Sequence, residues 1–448
     1  MCKIEYLTLD LFIYNLADDS SNEQDYWLKL AEQLKEQLEQ KGFSTKTNDE
    51  DPQRLRLDFE KKTSDADGSY SLGNFDNDTN CLRYSCSVAR QVELSNIEHT
   101  LTQIKNIDVL QKIGDLAPGK LSKNVYLGQT WMISGWTVPA NNPIPKANAH
   151  QAYKALIPQG YQHENLGEFL GAKVYEMWRG EGRWDKIEKD SHVIVVFYPD
   201  EDTFKQASKS YNAWRYLFYC RHKILWAYEQ GRELKLRLLD QYKKHSLVDP
   251  ENLKSLSDKG LQELKSELQK NIETVSSYVR DINHLQTQQH TVEVNERNYE
   301  KYYKEIFTND KFLEEFSNIV KEKYQIQLEK DYLGLNPGLA ILENLTATIR
   351  GMVEIQQAQL NKEQEQRDRN IETNIALVGI GLATSQIASS VIIAQQTPSP
   401  DIPFYQTQAF CYSIGTGVIA SLVFWIIFKT YEQVKEKQTA KDAKCTKE

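Results

Sequence analysis

Residues 192–198 read HVIVVFY, and this stretch decides the fold of the first half of the chain. Val193 to Phe197 is apolar at every position, whereas a strand with one solvent-facing side would alternate apolar and polar residues. The run therefore predicts a central strand of a sheet that is covered on both faces.

Further elements are predicted on the N-terminal side of this strand. A helix is predicted at Glu23–Gln40, where apolar residues recur at steps of three and four. The segment Thr63–Asn80 is rich in Ser, Asp, Gly and Asn and is interpreted as a loop. Strands are predicted at Tyr6–Leu16, Leu55–Phe59, Leu82–Ala89, Asn124–Thr137 and Lys173–Trp178. Strands mixed with helices predict an α+β domain over residues 1–245.

A long helix is predicted from Phe204 to Tyr242, and two interpretations of its composition stand open. Aromatic residues interleaved with bases can stack on and neutralise a nucleotide. An aromatic stripe at helical spacing is also typical of a packed core face, with the bases in solvent, and we favour this second interpretation. The aromatic residues are Tyr211, Trp214, Phe218 and Tyr228, and the bases are Arg215, Arg221, His222 and Lys223.

The second half of the chain is predicted to be almost wholly helical. Apolar residues at heptad-like spacing predict a helical bundle or coiled coil over residues 246–336. Asn336 and Pro337 form a helix-start signal, a capping residue followed by proline at the first helical position. A stalk helix is therefore predicted over 337–373.

Two uncharged apolar runs near the C-terminus predict a transmembrane hairpin. Residues 374–394 and 410–428 each have about the length of a bilayer-spanning helix, roughly 20 residues. The loop between them, 395–409, lacks Lys and Arg, whereas the segment before the hairpin carries Arg350, Lys362, Arg367 and Arg369 and the tail, 429–448, carries six lysines. Basic flanks stay in the cytoplasm, so we expect a multi-pass protein of the plasma (inner) membrane with both termini cytoplasmic.

Small and polar residues form a stripe along each predicted span. In the first span Asn374, Gly381, Ser385 and Ser389 share one helix face. A polar stripe of this kind lines a pore or packs against another helix, and both interpretations stay open. In the second span Ser413, Gly417 and Ser421 give the same spacing and predict helix packing.

Composition and motifs exclude several function classes. The formal net charge of −9 argues against nucleic-acid binding. The sequence has no phosphate-binding loop and no Gly-x-Ser-x-Gly elbow, and its eight histidines show no metal-ligand spacing. We therefore predict that the protein is not an enzyme, and no metal ligand is assigned.

The order of these parts resembles the CorA family of divalent-cation transporters. The resemblance lies in the layout: an α/β body, a long stalk helix that enters the first span, a short outer loop, a second span and a basic tail. The family's Gly-Met-Asn motif is absent, since residues 391–396 read VIIAQQ at that position. The resemblance implies a homo-oligomer, a pentamer in that family, with the first span lining a pore, and a divalent cation as its ion.

Two functions are predicted from these observations. The first is a CorA-like oligomeric channel or ion transporter subunit in the lipid bilayer, gated by its cytoplasmic domain. The alternative is a membrane-anchored sensor or effector in stress or defence signalling, whose spans only tether it. In either case the N-terminal body would bind a small-molecule or nucleotide ligand, or a partner protein.

Overall fold

The computed structural model describes most of the chain. The described residues are 2–17, 23–51, 54–61, 65–76, 78–105, 126–142, 144–179, 190–245, 258–307 and 312–395, and the helical residues 411, 412, 414–420, 422, 423, 425–427, 429 and 430. For residues 367–395 the description covers the helical backbone and not the side chains.

The chain divides into two compact units. The first comprises Met1–Val248 and Asn271–Asn344, and it contains the sheet. The second comprises Asp249–Lys270 and Leu345–Glu448, and in it Leu261, Leu264, Ile349 and Val353 form a small buried apolar cluster.

Ten strands form one mixed sheet within the described residues. They are β1 (Lys3–Leu16), β2 (Ser44–Asp51), β3 (Arg54–Lys61), β4 (Ala66–Asp76), β5 (Thr79–Val88), β6 (Val92–Glu93), β7 (Tyr126–Val138), β8 (His163–Phe169), β9 (Ala172–Arg179) and β10 (Ser191–Tyr198). Their order is β2-β3-β4-β5-β1-β7-β10-β9-β8, with β6 paired to β1. Only the pairing of β7 with β10 is parallel, and the other pairs are antiparallel.

Eight α-helices have continuous bounds in the described part of the chain. They are α1 (Glu23–Gln40), α2 (Ile97–Lys105), α3 (Lys146–Leu156), α4 (Glu201–Ala207), α5 (Tyr211–His245), α6 (Asp258–Ile306), α7 (Glu314–Ile319) and α8 (Ile326–Gln395). A π-helical segment, Val320–Gln325, joins α7 to α8 without a break.

Helices cover both faces of the sheet at β10. On one face, the ring of His192 packs edge-on against Phe218 of α5, with 5.7 Å between centroids. Successive strand residues point to opposite faces, so Ser191 lies on the other face, where its hydroxyl meets Tyr153 of α3 at 3.2 Å. Val193 to Val196 are fully buried, which confirms the predicted central strand.

The prediction of a loop at Thr63–Asn80 is wrong, because most of this segment forms strand β4. This strand pairs with β3 on one side and β5 on the other. Its Ser and Asp residues alternate with Ala66, Gly68 and Tyr70, which is the period of a strand. The Ser, Asp and Gly residues of this segment also favour turns, and the prediction followed that composition and not the alternation.

The helix start predicted at Asn336-Pro337 is also wrong. Helix α8 begins at Ile326, and Pro337 lies inside it. A proline removes one backbone hydrogen bond and crowds the preceding turn. Here the hydroxyl of buried Tyr278 donates to the carbonyl of Leu335 at 2.6 Å, so a tertiary contact supports the chain beside the proline.

The predicted C-terminal transmembrane hairpin is contradicted by the structure. Among the described residues, no helix combines the length and the apolar character that crossing a bilayer requires. Residues 374–394 are the final part of the 70-residue helix α8. An uncharged run of about 20 residues is a necessary condition for a span, and the prediction treated it as sufficient. The predicted plasma-membrane, multi-pass localisation with cytoplasmic termini depended on the hairpin and is wrong with it.

Ion pairs between two buried aspartates and partly exposed bases link the helices of the first unit. Asp331 of α8 accepts from Arg232 and Lys235 of α5, each at 2.6 Å. Asp281 of α6 accepts from Arg237 of α5 at 3.2 Å. The two aspartates are almost fully buried, so their charge is stabilised by these bases and not by water.

Replacing Asp331 tests this contribution. We expect Asp331→Ala to lower the free energy of unfolding by about 2 kcal/mol, less than for a fully enclosed pair because the two bases retain contact with water. The matched control is Asp240→Ala, since Asp240 forms an exposed pair with Lys244 one helical turn away. That control should change stability by less than about 0.5 kcal/mol. Equal effects of the two substitutions in urea denaturation would contradict the assignment.

Candidate functional site

Small hydroxyl side chains cover one face of the central strands. The register aligns Asp67 of β4, Ser87 of β5, Thr8 of β1 and Ser134 of β7 in one row across the sheet. Thr8 and Ser87 hydrogen-bond to each other at 2.9 Å. Short side chains do not reach the helices above them, so this part of the sheet is left with space over it.

A second row lies next to the first. It contains Ser69 of β4, Ser85 of β5, Asp10 of β1 and Met132 of β7. We call the two rows together the hydroxyl floor. Five of its eight residues are Ser or Thr, where a packed core would carry Leu, Ile or Val.

The hydroxyl floor forms the base of a cavity of about 700 Å³. Phe204 of α4 and Tyr211 and Trp214 of α5 form the wall on the helix side, with Tyr198 from the sheet. The rim is built from β2 and β3 and carries Ser44, Thr45, Lys46, Arg56, Asp58 and Glu60. Protein interiors are close-packed, so a polar space of this volume is a feature that the fold maintains.

A buried acid and a base meet at the side of the cavity. The Arg83 guanidinium lies 3.5 Å from Asp10 and 4.5 Å from the ring centre of Tyr211. The Tyr211 hydroxyl donates to Asp10 at 3.3 Å. These contacts are long, and Nε of Arg83 is buried without a hydrogen-bond acceptor in the described structure. Asp10 and Arg83 line the cavity, and their mutual contact leaves part of their hydrogen-bonding capacity unused.

Burial and neighbouring charges shift the pKa values of Tyr211 and Arg83. Burial raises the pKa of the Tyr211 phenol well above its usual value, and the negative charge of Asp10 adds to the shift. Burial opposes the charge on Arg83, but Tyr211 and Asp10 outweigh it and raise the pKa of the guanidinium. At neutral pH the site therefore presents a neutral phenol and a charged guanidinium.

An irregular strand aims Tyr6 into the cavity. The pairing of β1 with β7 shifts register between Glu5 and Thr8, and Tyr6 has a φ of 54°. A positive φ is unfavourable for an aromatic residue, and such bulges re-aim side chains near functional sites. The Tyr6 hydroxyl donates to Asp67 at 3.0 Å, and its ring stacks on Trp136 with 5.7 Å between centroids.

A second polar cluster lies between the sheet and a later part of α5. It consists of Thr130, Glu176, His192 and His222, and we call it the buried relay. His192 contacts Glu176 at 3.0 Å through Nε2 and Thr130 at 2.8 Å through Nδ1. Thr130 in turn meets Nε2 of His222 at 2.7 Å. All four residues are almost fully buried, and Glu176 also accepts from Asn165 at 2.8 Å.

Three of the four bases predicted to lie in solvent on this helix are buried, whereas Arg215 is half-buried. Arg221 is fully buried and forms an ion pair with Asp190 at 2.7 Å. Lys223 is buried against Asp78 at 2.8 Å. His222 belongs to the buried relay. The prediction was wrong because each base has a polar partner on the sheet side, which helical periodicity does not reveal.

Most of the sequence-predicted site residues lie outside the described side chains. The side chains of Asn374, Gly381, Ser385 and Ser389 lie outside the described ones, as do Ser413 and Ser421. Gly417 is described and is buried. In the described part of the chain, no group of three or more His, Cys, Asp or Glu residues is arranged to hold a metal ion.

Sequence reasoning missed the hydroxyl floor, although β5 carries its signal. From Arg83 to Ser87, polar residues at every second position alternate with Tyr84 and Cys86. The alternation identifies a polar face, but only the register with β1, β4 and β7 shows that four such faces adjoin.

No protein-family model matches the chain, and no curated protein sequence is significantly similar to it. The resemblance to the CorA family therefore stays a prediction, as do a homo-oligomeric state and the absence of nucleic-acid binding.

The buried relay predicts a pH dependence of stability. Burial, then the charges of Arg221 and His192, hold the pKa of His222 well below its usual value. The unfolded state therefore takes up the proton first, so stability is complete above about pH 6.5 and is lost as pH falls below it. Burial raises the pKa of Glu176, so its contribution has the opposite sign, complete at acid pH and lost as pH rises.

Comparing wild type with His222→Gln isolates the histidine, because Glu176 and His192 titrate in both proteins. The difference in free energy of unfolding should shrink between pH 7 and pH 5 by up to about 1.4 kcal/mol per pH unit. Urea denaturation across this range measures it. A difference that stays constant with pH would contradict the assignment.

Proposed function

We propose that the first unit is a sensor domain that binds a small polar molecule in the cavity over the hydroxyl floor. The observation that carries the proposal is the cavity itself, whose volume lies in the range of ligand sites, roughly 300–1,000 Å³. Its lining combines aromatic walls with converging carboxylate, guanidinium and hydroxyl groups, the composition that is typical of small-molecule sites.

The chemistry of the lining favours binding over catalysis. Among the described residues that line the cavity there is neither a histidine nor a cysteine. The two carboxylates of the hydroxyl floor are engaged by other groups, Asp10 by Arg83 and the Tyr211 hydroxyl and Asp67 by the Tyr6 hydroxyl. Hydroxyl groups donate and accept, so the floor suits a ligand that carries several polar atoms.

Helix α5 supports a role in signalling. Its first turns form the cavity wall through Tyr211 and Trp214, and its later turns carry the ion pairs to Asp331 and Asp281. A ligand that binds better to one position of α5 than to another would shift these contacts. The domain would then report the ligand to the helices of the first unit.

This proposal keeps the sensing part of the alternative predicted from sequence and omits its membrane anchor. The channel prediction is not carried forward, because its pore residues depend on the transmembrane hairpin. The ligand class predicted there, a small molecule or nucleotide, is compatible with the size and polarity of the cavity.

A thermal-shift panel tests the proposal. Full-length protein is heated with nucleosides, nucleotides, amino acids, polyamines and sugars, each at millimolar concentration. A cavity ligand present at 100 times its Kd should stabilise the protein by about 2.7 kcal/mol and raise Tm by several degrees.

Two substitutions show where the stabilising compound binds. Ser85→Phe places a ring over the hydroxyl floor and should abolish the rise in Tm. Ser95→Phe makes the same chemical change at an exposed position and should leave the rise unchanged. If no compound in the panel stabilises the wild type, or if the rise survives Ser85→Phe, the cavity is not the binding site.

A further inference from the structure

One end of the cavity has a charge that the protein does not neutralise. Asp10 has Arg83 as its basic partner, and Asp58 pairs with Arg56 at the rim. Asp67, in contrast, has no basic side chain within ion-pair distance among the described residues, and its hydrogen bond comes from the neutral phenol of Tyr6. A half-buried carboxylate in this position is stabilised by a cation supplied from outside the chain.

Aromatic rings surround the same end of the cavity. The Tyr6 ring stacks on Trp136 and meets Phe204 edge-on, with 6.1 Å between centroids. Phe204 also packs against Trp136 at 5.1 Å and against Tyr198 at 5.7 Å. Tyr6, Phe204 and Tyr198 line the cavity together with Asp67.

Elsewhere in the same cavity, a cationic side chain lies beside both an aromatic ring and a carboxylate. On the other side of the floor, the Arg83 guanidinium lies over the Tyr211 ring and beside Asp10. At the Tyr6 end the rings and the acid are present, but in the described structure no arginine or lysine occupies the corresponding position. Rings with an adjacent carboxylate are the arrangement that recognises organic ammonium groups.

Tyr6 fixes the geometry of this end. Its positive φ and the bulge in β1 point the ring toward the cavity. Its hydroxyl then holds the Asp67 carboxylate at 3.0 Å. Burial raises the pKa of the Tyr6 phenol, and Asp67 adds to the shift, so the hydroxyl remains a donor at neutral pH.

We propose that the Asp67–Tyr6 end of the cavity is a cation subsite, which binds the ammonium or other organic cationic group of the ligand. The proposal rests on the proposed sensor function and adds to it the chemical class of the ligand. The remaining polar atoms of the ligand would lie on the hydroxyl floor, toward Arg83.

A matched pair of probes tests the subsite. Choline and 3,3-dimethyl-1-butanol have nearly the same shape, and only choline is charged. Binding of each to the full chain is measured by saturation-transfer difference NMR titration. We expect choline to bind at least tenfold more tightly than the alcohol, because only the cation gains from Asp67 and the ring faces.

Substitutions then locate the interaction. Asp67→Asn removes the charge and keeps the shape, and it should weaken choline binding at least tenfold without affecting the alcohol. Tyr6→Phe keeps the ring and loses the hydroxyl that holds Asp67, so we expect about a threefold loss. The control is Asp65→Asn, two residues away at an exposed position with a φ of 49°, which asparagine tolerates. It should leave both probes unchanged.

The outcomes separate this proposal from the sensor function. Equal binding of the two probes, or choline binding that survives Asp67→Asn, overturns the cation subsite. If Ser85→Phe then abolishes that binding, the cavity still stands as the ligand site. Absence of choline binding to the wild type also overturns the subsite, while the cavity is judged by the thermal-shift panel.

Discussion

The packing of strand β1 against helix α5 is the constraint on which the rest of the first unit depends. Phe12 lies between Tyr211 and Phe218, with centroid separations of 5.7 and 5.5 Å, and the Tyr14 hydroxyl donates to the backbone of Arg215 at 2.7 Å. Burial of such a phenylalanine contributes about 2–3 kcal/mol, and the hydrogen bond about 1 kcal/mol. These large rings fix the distance between α5 and the sheet. The short side chains of the hydroxyl floor do not fill that distance. The cavity is therefore a consequence of side-chain size along the strands.

Three environments follow one another beneath α5. The first turns face the cavity, the middle turns face the rings of Phe12 and His192, and His222 then closes the buried relay. At the relay, helix α5 approaches strand β7 closely, because a Cβ atom at Gly128 would lie 2.3 Å from the His222 ring. At the relay, Glu176, His192, Thr130 and His222 are hydrogen-bonded in series, and Nδ1 of His222 has no hydrogen-bond partner among the described residues. At the cavity, Nε of Arg83 is likewise buried without an acceptor. The two places differ in enclosure: the four relay residues are almost fully buried, which favours a structural role, whereas open space adjoins the hydroxyl floor, which supports the binding role proposed for the cavity.

Much of the sheet could be predicted from sequence, because strand signals are local. The apolar run Val193–Phe197 identified the central strand, and β1 and β7 were found within a few residues of their bounds. Strand β4 was missed because Ser, Asp and Gly favour turns, and only pairing with β3 and β5 makes such a segment extended. The cavity could not be predicted, since it depends on which strands adjoin and in what register. The C-terminal hairpin was predicted from run length, which carries no information about what surrounds a helix.

The most direct test of this account is a crystal structure of the protein grown with the compound that most strongly raises its Tm. We expect electron density for that compound between the hydroxyl floor and Tyr211, with polar atoms in hydrogen-bond contact with Ser85 and Asp10. Density for the compound at any other position, with Phe204 and Tyr211 collapsed onto the floor, would contradict it.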